Sequence, residues 1–273
     1  MAYKLIAVDL DGTLFDDNKK VTPRVKRAIA AARAAGLHVV LATGRPLPGV
    51  SPLLKELDYA PEDFVICYNG SLVQTVGGEI LKKVGMNKDE YLKLYEAVHA
   101  TGAHFHVNAI DGLYTSDRDV SLYTTWESFH VGLQIKYRTP EEIIADEHID
   151  IIKVMMIDEE AVVDASIPQL PAWVHTEFTT LRTEDFFYEF INRAAGKGTA
   201  VAAVAEKLGI KQDEVIAIGD SENDRSMIEW AGLGVAMGNA RPELKPFADL
   251  IAPSNVEDGL AYIIEEYMLK TTA

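Results

Sequence analysis

The chain has 273 residues, 48% of them hydrophobic, which supports a real core and excludes a disordered protein. Its formal net charge of −16 argues against nucleic acid as a partner, because phosphate-backbone binding needs a basic surface. No apolar run approaches the ~20 residues that span a bilayer, and a single cysteine, Cys67, excludes an internal disulfide framework and fits a reducing cytoplasm.

The N-terminus reads as a strand rather than a charged-then-apolar leader. Leu5-Ile6-Ala7-Val8 is a short apolar run with the β-favouring residues of a buried strand. It delivers Asp9-Leu10-Asp11-Gly12-Thr13, two carboxylates one residue apart where glycine lets the backbone turn. Thr22-Pro23 starts a helix, an N-cap followed by proline at the first position, and Gly36 ends it. Leu37 to Ala42 is a second buried strand, which Thr43-Gly44-Arg45 leaves. A helix over Leu53 to Leu57 and a third strand over Phe64 to Cys67 follow, the strand ending in Tyr68-Asn69-Gly70. This alternation implies a parallel sheet. Cys67 is expected to be a buried core thiol.

The pattern changes between about Asn87 and Asn192. Helices are expected over Asp89 to Ala100 and near Glu160 to Ile167. Strands are expected at His104 to Val107, Trp173 to His175 and Phe186 to Ile191. Mixed elements without regular strand-helix-strand turns suggest an inserted α+β unit over 85–192, with hinges near Gly85 and Ala194-Ala195-Gly196. The enclosing domain is then 1–84 and 193–273. Parallel order resumes with a helix over Thr199 to Leu208, buried through Val201, Val204, Ala205 and Leu208. Val215 to Ile218 is a strand that delivers Gly219-Asp220-Ser221-Glu222-Asn223-Asp224. A short helix over Ser226 to Ala231 and a strand over Leu233 to Met237 close the pattern.

Two strand ends thus present carboxylates, Asp9 and Asp11 at one, Asp220 and Asp224 at the other. In open α/β sheets, ligands bind at the carboxyl ends of strands. Four acids cannot crowd together unless a cation neutralises them, and hard oxygen ligands select Mg²⁺. The plainer reading, aspartates that merely favour turns, does not account for both clusters at matching positions.

DxDGT, a strand-end Thr43, Lys197 and GDxxND occur here in the order that identifies the haloacid dehalogenase superfamily of phosphohydrolases, which the chain resembles over nearly its whole length. The position of the insertion, Thr43-Gly44-Arg45-Pro46 and Tyr68-Asn69-Gly70 resemble the Cof-type branch, and within it the YidA-type sugar phosphatases. The resemblance implies an α/β fold: a Rossmann-like parallel-sheet core with an inserted α+β cap of the C2B type. It implies a Mg²⁺-dependent phosphoric monoester hydrolase acting on a small phosphorylated metabolite, sugar phosphates first.

The resemblance also implies roles. Asp9 is the nucleophile that forms an aspartyl-phosphate, and Asp11 the acid and then the base. Mg²⁺ is held by the Asp9 carboxylate, the Asp11 backbone carbonyl and Asp220, with Asp224 behind them orienting metal-bound water. Thr43, Gly44, Arg45, Lys197 and Asn223 bind substrate. Lys197 stands at a helix start, where the dipole disfavours a cation, and a fixed cation stabilises a phosphoryl group in flight.

In the insertion, His104 and His106 alternate on one strand face, but a third ligand for a metal pair is not in evidence. Glu189, among aromatics, either hydrogen-bonds a sugar hydroxyl or faces solvent. Two other readings stand beside the phosphatase: a phosphomutase or phosphotransferase, and a non-catalytic metabolite binder on the same fold. Monomer and homodimer are both compatible with the sequence.

Overall fold

A computed structural model of the protein describes residues 2–270. In chain order the elements begin with β1 (Leu5–Val8), α1 (Pro23–Ala34), β2 (His38–Ala42), α2 (Leu47–Glu56), β3 (Phe64–Cys67), β4 (Leu72–Thr75) and β5 (Ile80–Lys83). Then come α3 (Lys88–His99), β6 (Phe105–Ala109), β7 (Gly112–Thr115), α4 (Leu122–Val131), β8 (Ile135–Tyr137), α5 (Pro140–Ala145) and β9 (Ile151–Ile157). They are followed by α6 (Glu160–Ser166), α7 (Trp173–Glu177), β10 (Phe178–Glu184) and β11 (Phe187–Asn192). The chain finishes with α8 (Lys197–Leu208), β12 (Val215–Gly219), α9 (Arg225–Trp230), β13 (Leu233–Ala236), β14 (Leu250–Ile251) and α10 (Gly259–Ile263).

The chain divides into two compact units. The first runs up to Gly44, from Ser51 to Lys82 and from Gly196 onward; the second comprises Arg45–Val50 and Lys83–Ala195.

The first unit holds a sheet of order β14-β13-β12-β1-β2-β3-β4-β5. It is parallel from β14 to β3, and β4 returns antiparallel beside β3. β1 lies between β12 and β2, with Leu5 opposite Val215 on one side and His38 on the other. Its four residues are fully buried, which is why they read as an unbroken apolar run. One core face joins Leu5, Ala7, Val40 and Ala42 to Val201, Val204 and Ala205 of α8. Each buried valine of this kind contributes about 1.5–3 kcal/mol. Thr22 caps α1, its hydroxyl accepting from the Val25 amide at 3.3 Å.

The second unit is a six-stranded sheet of order β10-β11-β9-β6-β7-β8, antiparallel except for β7 with β8. One face carries its core, with Tyr91 and Leu94 of α3 against Phe105, Val154 and Phe190. Asn87 and Glu90 close a reciprocal cap on α3.

Three local expectations change. Trp173 to His175 is not a strand but the first turn of α7, since after Pro171 only Val174 finds burial. The second helix begins at Leu47 rather than Leu53; Pro52 inside it removes one backbone bond, a cost that a ten-residue helix absorbs. The helix expected from Thr199 starts at Lys197, which puts the lysine on its first turn.

Candidate active site

β1 ends at Val8, and Asp9 continues extended, its amide donating to the Ile218 carbonyl of the neighbouring strand at 3.1 Å. The chain then winds one wide turn over Leu10–Leu14, closed by Leu14 N to Asp9 O at 3.2 Å. Gly12 sits at φ +83°, where a side chain is strained. A Cβ there would also stand 2.5 Å from the Asp220 carboxylate. Glycine is required twice over, by conformation and by space.

β12, hydrogen-bonded beside β1, brings the second acidic group. Asp220 accepts from Thr13 Oγ1 at 3.2 Å and from Ser221 Oγ at 3.1 Å. Asp224 folds back over its own loop, one oxygen accepting from the amides of Asp220 at 2.9 Å and Ser221 at 3.0 Å. An added Cβ at Gly219 would run into that carboxylate.

Lys197 ties the groups together. It is fully buried, and its ammonium donates to Asp9 Oδ1 at 2.5 Å and Asp224 Oδ1 at 2.6 Å. Burial weakens its hold on the proton, but Asp224 and Asp9 outweigh that and keep its affinity for the proton above the ordinary lysine value. The cation at a helix start, unfavourable to the helix dipole, is thus stabilised by two carboxylates. Asp9 is pushed well above the carboxylate range, first by burial and then by the like charge of Asp224, against the pull of Lys197. Burial and Asp224 raise Asp220 in the same direction.

One oxygen from each of Asp9, Asp220 and Asp224 lies within 4.8 Å of the others. Asp224 is already neutralised by Lys197 and two amides. Asp9 and Asp220 carry the less compensated charge, and hard carboxylate oxygens at this spacing fit a divalent cation. The Asp11 side chain is no part of the trio; it is partly exposed and pairs with Lys19 at 2.8 Å.

Thr43 and Gly44 leave β2, with Thr43 buried and its amide on the Ile66 carbonyl at 2.9 Å. Asn223 lies at the far side of the acidic loop and donates from Nδ2 to Asn69 Oδ1 at 3.0 Å. Asn69 itself is buried after β3 and was not singled out by residue type. The sequence marks it only as the Asn-Gly turn after β3; the structure adds that Tyr68, Asn69 and Gly70 are all at positive φ (+52°, +55° and +92°). Left-handed backbone at a tyrosine is an outlier costing on the order of 1–3 kcal/mol, and such strain gathers at functional sites. Thr13, read in sequence only as the last residue of DxDGT, and Ser221, a variable position of GDxxND, both hold Asp220. Arg45 falls in the 45–50 segment of the second unit, where its charge acts on Glu127.

In the second unit, His104 and His106 do not share a ligand. His104 Nδ1 contacts Asp158 Oδ2 at 2.6 Å, whereas His106 is fully buried beside Thr124. Burial, reinforced by Lys153, pushes His106 down to about 3, so it is neutral. Glu189 does not face solvent. It is buried, paired with Lys153 at 3.0 Å and accepting from Thr183 Oγ1 at 2.9 Å. Glu127, buried nearby, is raised to about 7, first by burial, with Lys153 and Arg45 opposing and Glu189 and Glu184 adding to it.

Known proteins resemble the chain over nearly its whole length. The family profile for haloacid dehalogenase-like hydrolases matches residues 6–264. YxeH of Bacillus subtilis is 42% identical over 269 residues, covering 98% of this chain and 99% of its own. The 5-amino-6-(5-phospho-D-ribitylamino)uracil phosphatase YcsE of the same organism is 30% identical over 266 residues, covering 97% of this chain and 96% of its own. Among solved structures, a haloacid dehalogenase-like hydrolase from Bacteroides thetaiotaomicron superposes with a TM-score of 0.83 at 30% identity, covering 96% of this chain and 98% of that one.

Proposed function

The chain belongs to the haloacid dehalogenase-like hydrolase family, and we propose that it is a Mg²⁺-dependent phosphatase of small phosphorylated metabolites, sugar phosphates first. The observation that carries this reading is the buried Lys197 bridging Asp9 and Asp224 beside Asp220. A fixed cation inside an acidic pocket is what a transferring phosphoryl group requires. The YcsE relative, named for a ribityl phosphate, supports a phosphorylated sugar or sugar alcohol.

In this reading the Asp9 carboxylate attacks phosphorus, the P–O bond to the substrate alcohol breaks, and Asp11 gives that alcohol its proton. Asp11 then takes a proton from the water that attacks the aspartyl-phosphate, releasing inorganic phosphate and restoring Asp9. Lys197 and Thr43 hold the phosphoryl oxygens, with Gly44 leaving room for close approach. Asp9, Asp220 and the Asp11 backbone carbonyl would hold Mg²⁺, which would supply charge neutralisation for the phosphate. Asp224 would orient water beside that cation, and it holds the Asp220 loop through the Asp220 and Ser221 amides.

The cap of this proposal is the inserted 85–192 segment, which sets specificity, with 1–84 and 193–273 as the catalytic domain. Arg45 reads substrate. The single buried thiol supports a reducing, cytoplasmic setting. A phosphate-release screen over phosphorylated metabolites with Mg²⁺, using Asp9→Asn as the blank, tests the reading. Release from at least one sugar phosphate by the parent and none by the variant is expected. An equally active Asp9→Asn would overturn it, and product analysis with an acceptor sugar separates hydrolysis from transfer.

A further inference from the structure

We infer that Asn69 is a further substrate-binding residue, its side-chain amide donating to an oxygen of the transferring phosphoryl group. This rests on the phosphatase reading above. Asn69 is 5% exposed, and its Nδ2 has no hydrogen-bond partner among the described residues. Its Oδ1 is occupied, accepting from Asn223 Nδ2 at 3.0 Å. That bond orients the amide: the acceptor end faces Asn223, and both hydrogens of the donor end stay available. Buried donors in native proteins are almost always paired, so this one asks what it serves.

Its surroundings answer. The backbone amide of Asn69 donates to the Thr43 carbonyl at 2.9 Å, which fixes the residue beside that strand end. Its Nδ2 stands 3.2 Å from where a Cβ on Gly44 would be. The next residue, Gly70, packs so tightly on Gly196 and the Lys197 amide that no side chain fits between. The turn is therefore wedged between the end of β2, which carries Thr43 and Gly44, and the start of α8, which carries Lys197. Asn223, from the acidic loop, meets it on a third side. These are the phosphate-binding groups of the proposed reaction, and Asn69 touches or abuts each of the three elements that supply them.

The residue type suits the task. The surrounding groups are acidic, so another carboxylate would repel a phosphoryl oxygen, whereas an amide donates without adding charge. Asparagine, like aspartate, also tolerates φ +55° better than most non-glycine residues. A turn needing only left-handed backbone would be met by glycine, which leaves the buried side chain to be explained by what it binds.

The test separates donation from turn formation. Asn69→Asp keeps the left-handed preference and the acceptor for Asn223 but removes the donor; Asn69→Gly keeps the backbone and removes the side chain. The readouts are kcat and KM for the best substrate of the screen, the inhibition constant of inorganic phosphate, and the melting temperature. Asn69→Asp is expected to lower kcat/KM about 100-fold and to weaken phosphate inhibition about tenfold. Asn69→Gly is expected to lose about tenfold in kcat/KM. Both keep a cooperative melt. Values within about twofold of the parent for Asn69→Asp overturn the assignment, and if that variant does not fold, Asn69→Gly decides by the same criterion. Should the parent release no phosphate from any ester, the phosphatase reading fails first. Calorimetric binding of inorganic phosphate to parent and variants then still decides whether Asn69 is a ligand.

Discussion

Gly12 lies against Asp220 so closely that the smallest side chain on Gly12 would occupy the space of the carboxylate. The contact joins the loop after β1 to the loop after β12 and fixes the separation of the two acidic groups. Gly12→Ala meets that clash and the strain of φ +83° together. We expect activity to fall at least ~100-fold and stability to drop by roughly 1–3 kcal/mol. Steady-state kinetics and urea unfolding check both. Parent-like kinetics would mean that the spacing is not critical.

Lys197→Met should be harmful in two ways. It leaves Asp9 and Asp224 buried without their cation, which costs about 3–5 kcal/mol. It also removes a fixed charge from the proposed phosphoryl site, expected to cost on the order of 100-fold or more in kcat. The stability loss should shrink at acid pH, where the two carboxylates can take protons. Denaturation with a chelator present, at pH 5 and pH 8, measures it. An equal loss at both pH values would contradict the account.

Glu127 makes the stability depend on pH. Burial pushes its carboxyl up to about 7 in the folded chain, above the ordinary glutamate value of 4.5, so between these the native state holds a proton the unfolded state has released. That contribution is fully present below about pH 4.5 and is lost as pH rises through 7. It amounts to about 3 kcal/mol at most. Glu127→Gln, which cannot ionise, should gain on the parent by about 2 kcal/mol between pH 5 and pH 8 in paired urea titrations. Parallel pH curves for the two proteins would refute this origin.

Cys67 should be chemically silent in the native protein. It is fully buried at the end of β3, and burial pushes its thiol up to about 12. A thiol-specific chromogenic reagent should find no group in the folded chain and one group in denaturant. Prompt labelling without denaturant would show that β3 opens far more readily than its packing suggests.

Much of the candidate site was legible because Asp9, Thr43 and Asp220 sit at strand ends, where an apolar run followed by Asp, Gly or Thr marks the element. Lys197 follows another pattern, a cation at a helix start, and the structure brings it to Asp9 and Asp224. Asn69 reads in sequence only as part of the turn after the third strand, because its meaning depends on a left-handed backbone that residue type alone does not reveal. The pairing of Lys153 with Glu189 was equally silent. Glu189 reads in sequence as a polar residue among aromatics, and nothing in the chain order points to Lys153, on the adjacent strand β9, as its partner. Trp173-Val174-His175 misled in the opposite direction, since strand propensity in three residues yields to one helical turn once a single side chain is buried.

Leu5 pairs with Val215, so the strand bearing Asp9 waits for one of its two neighbours until more than two hundred further residues have been synthesised. During translation β1 has an open edge, the kind of surface that recruits unwanted strands. Lys197, Asp220 and Asp224 are also made late. An unfinished or C-terminally clipped chain therefore carries Asp9, the nucleophile of the proposed reaction, without the lysine and acids that surround it. On that proposal incomplete copies are catalytically mute, and the chemistry exists only in chains that have been made past Asp224.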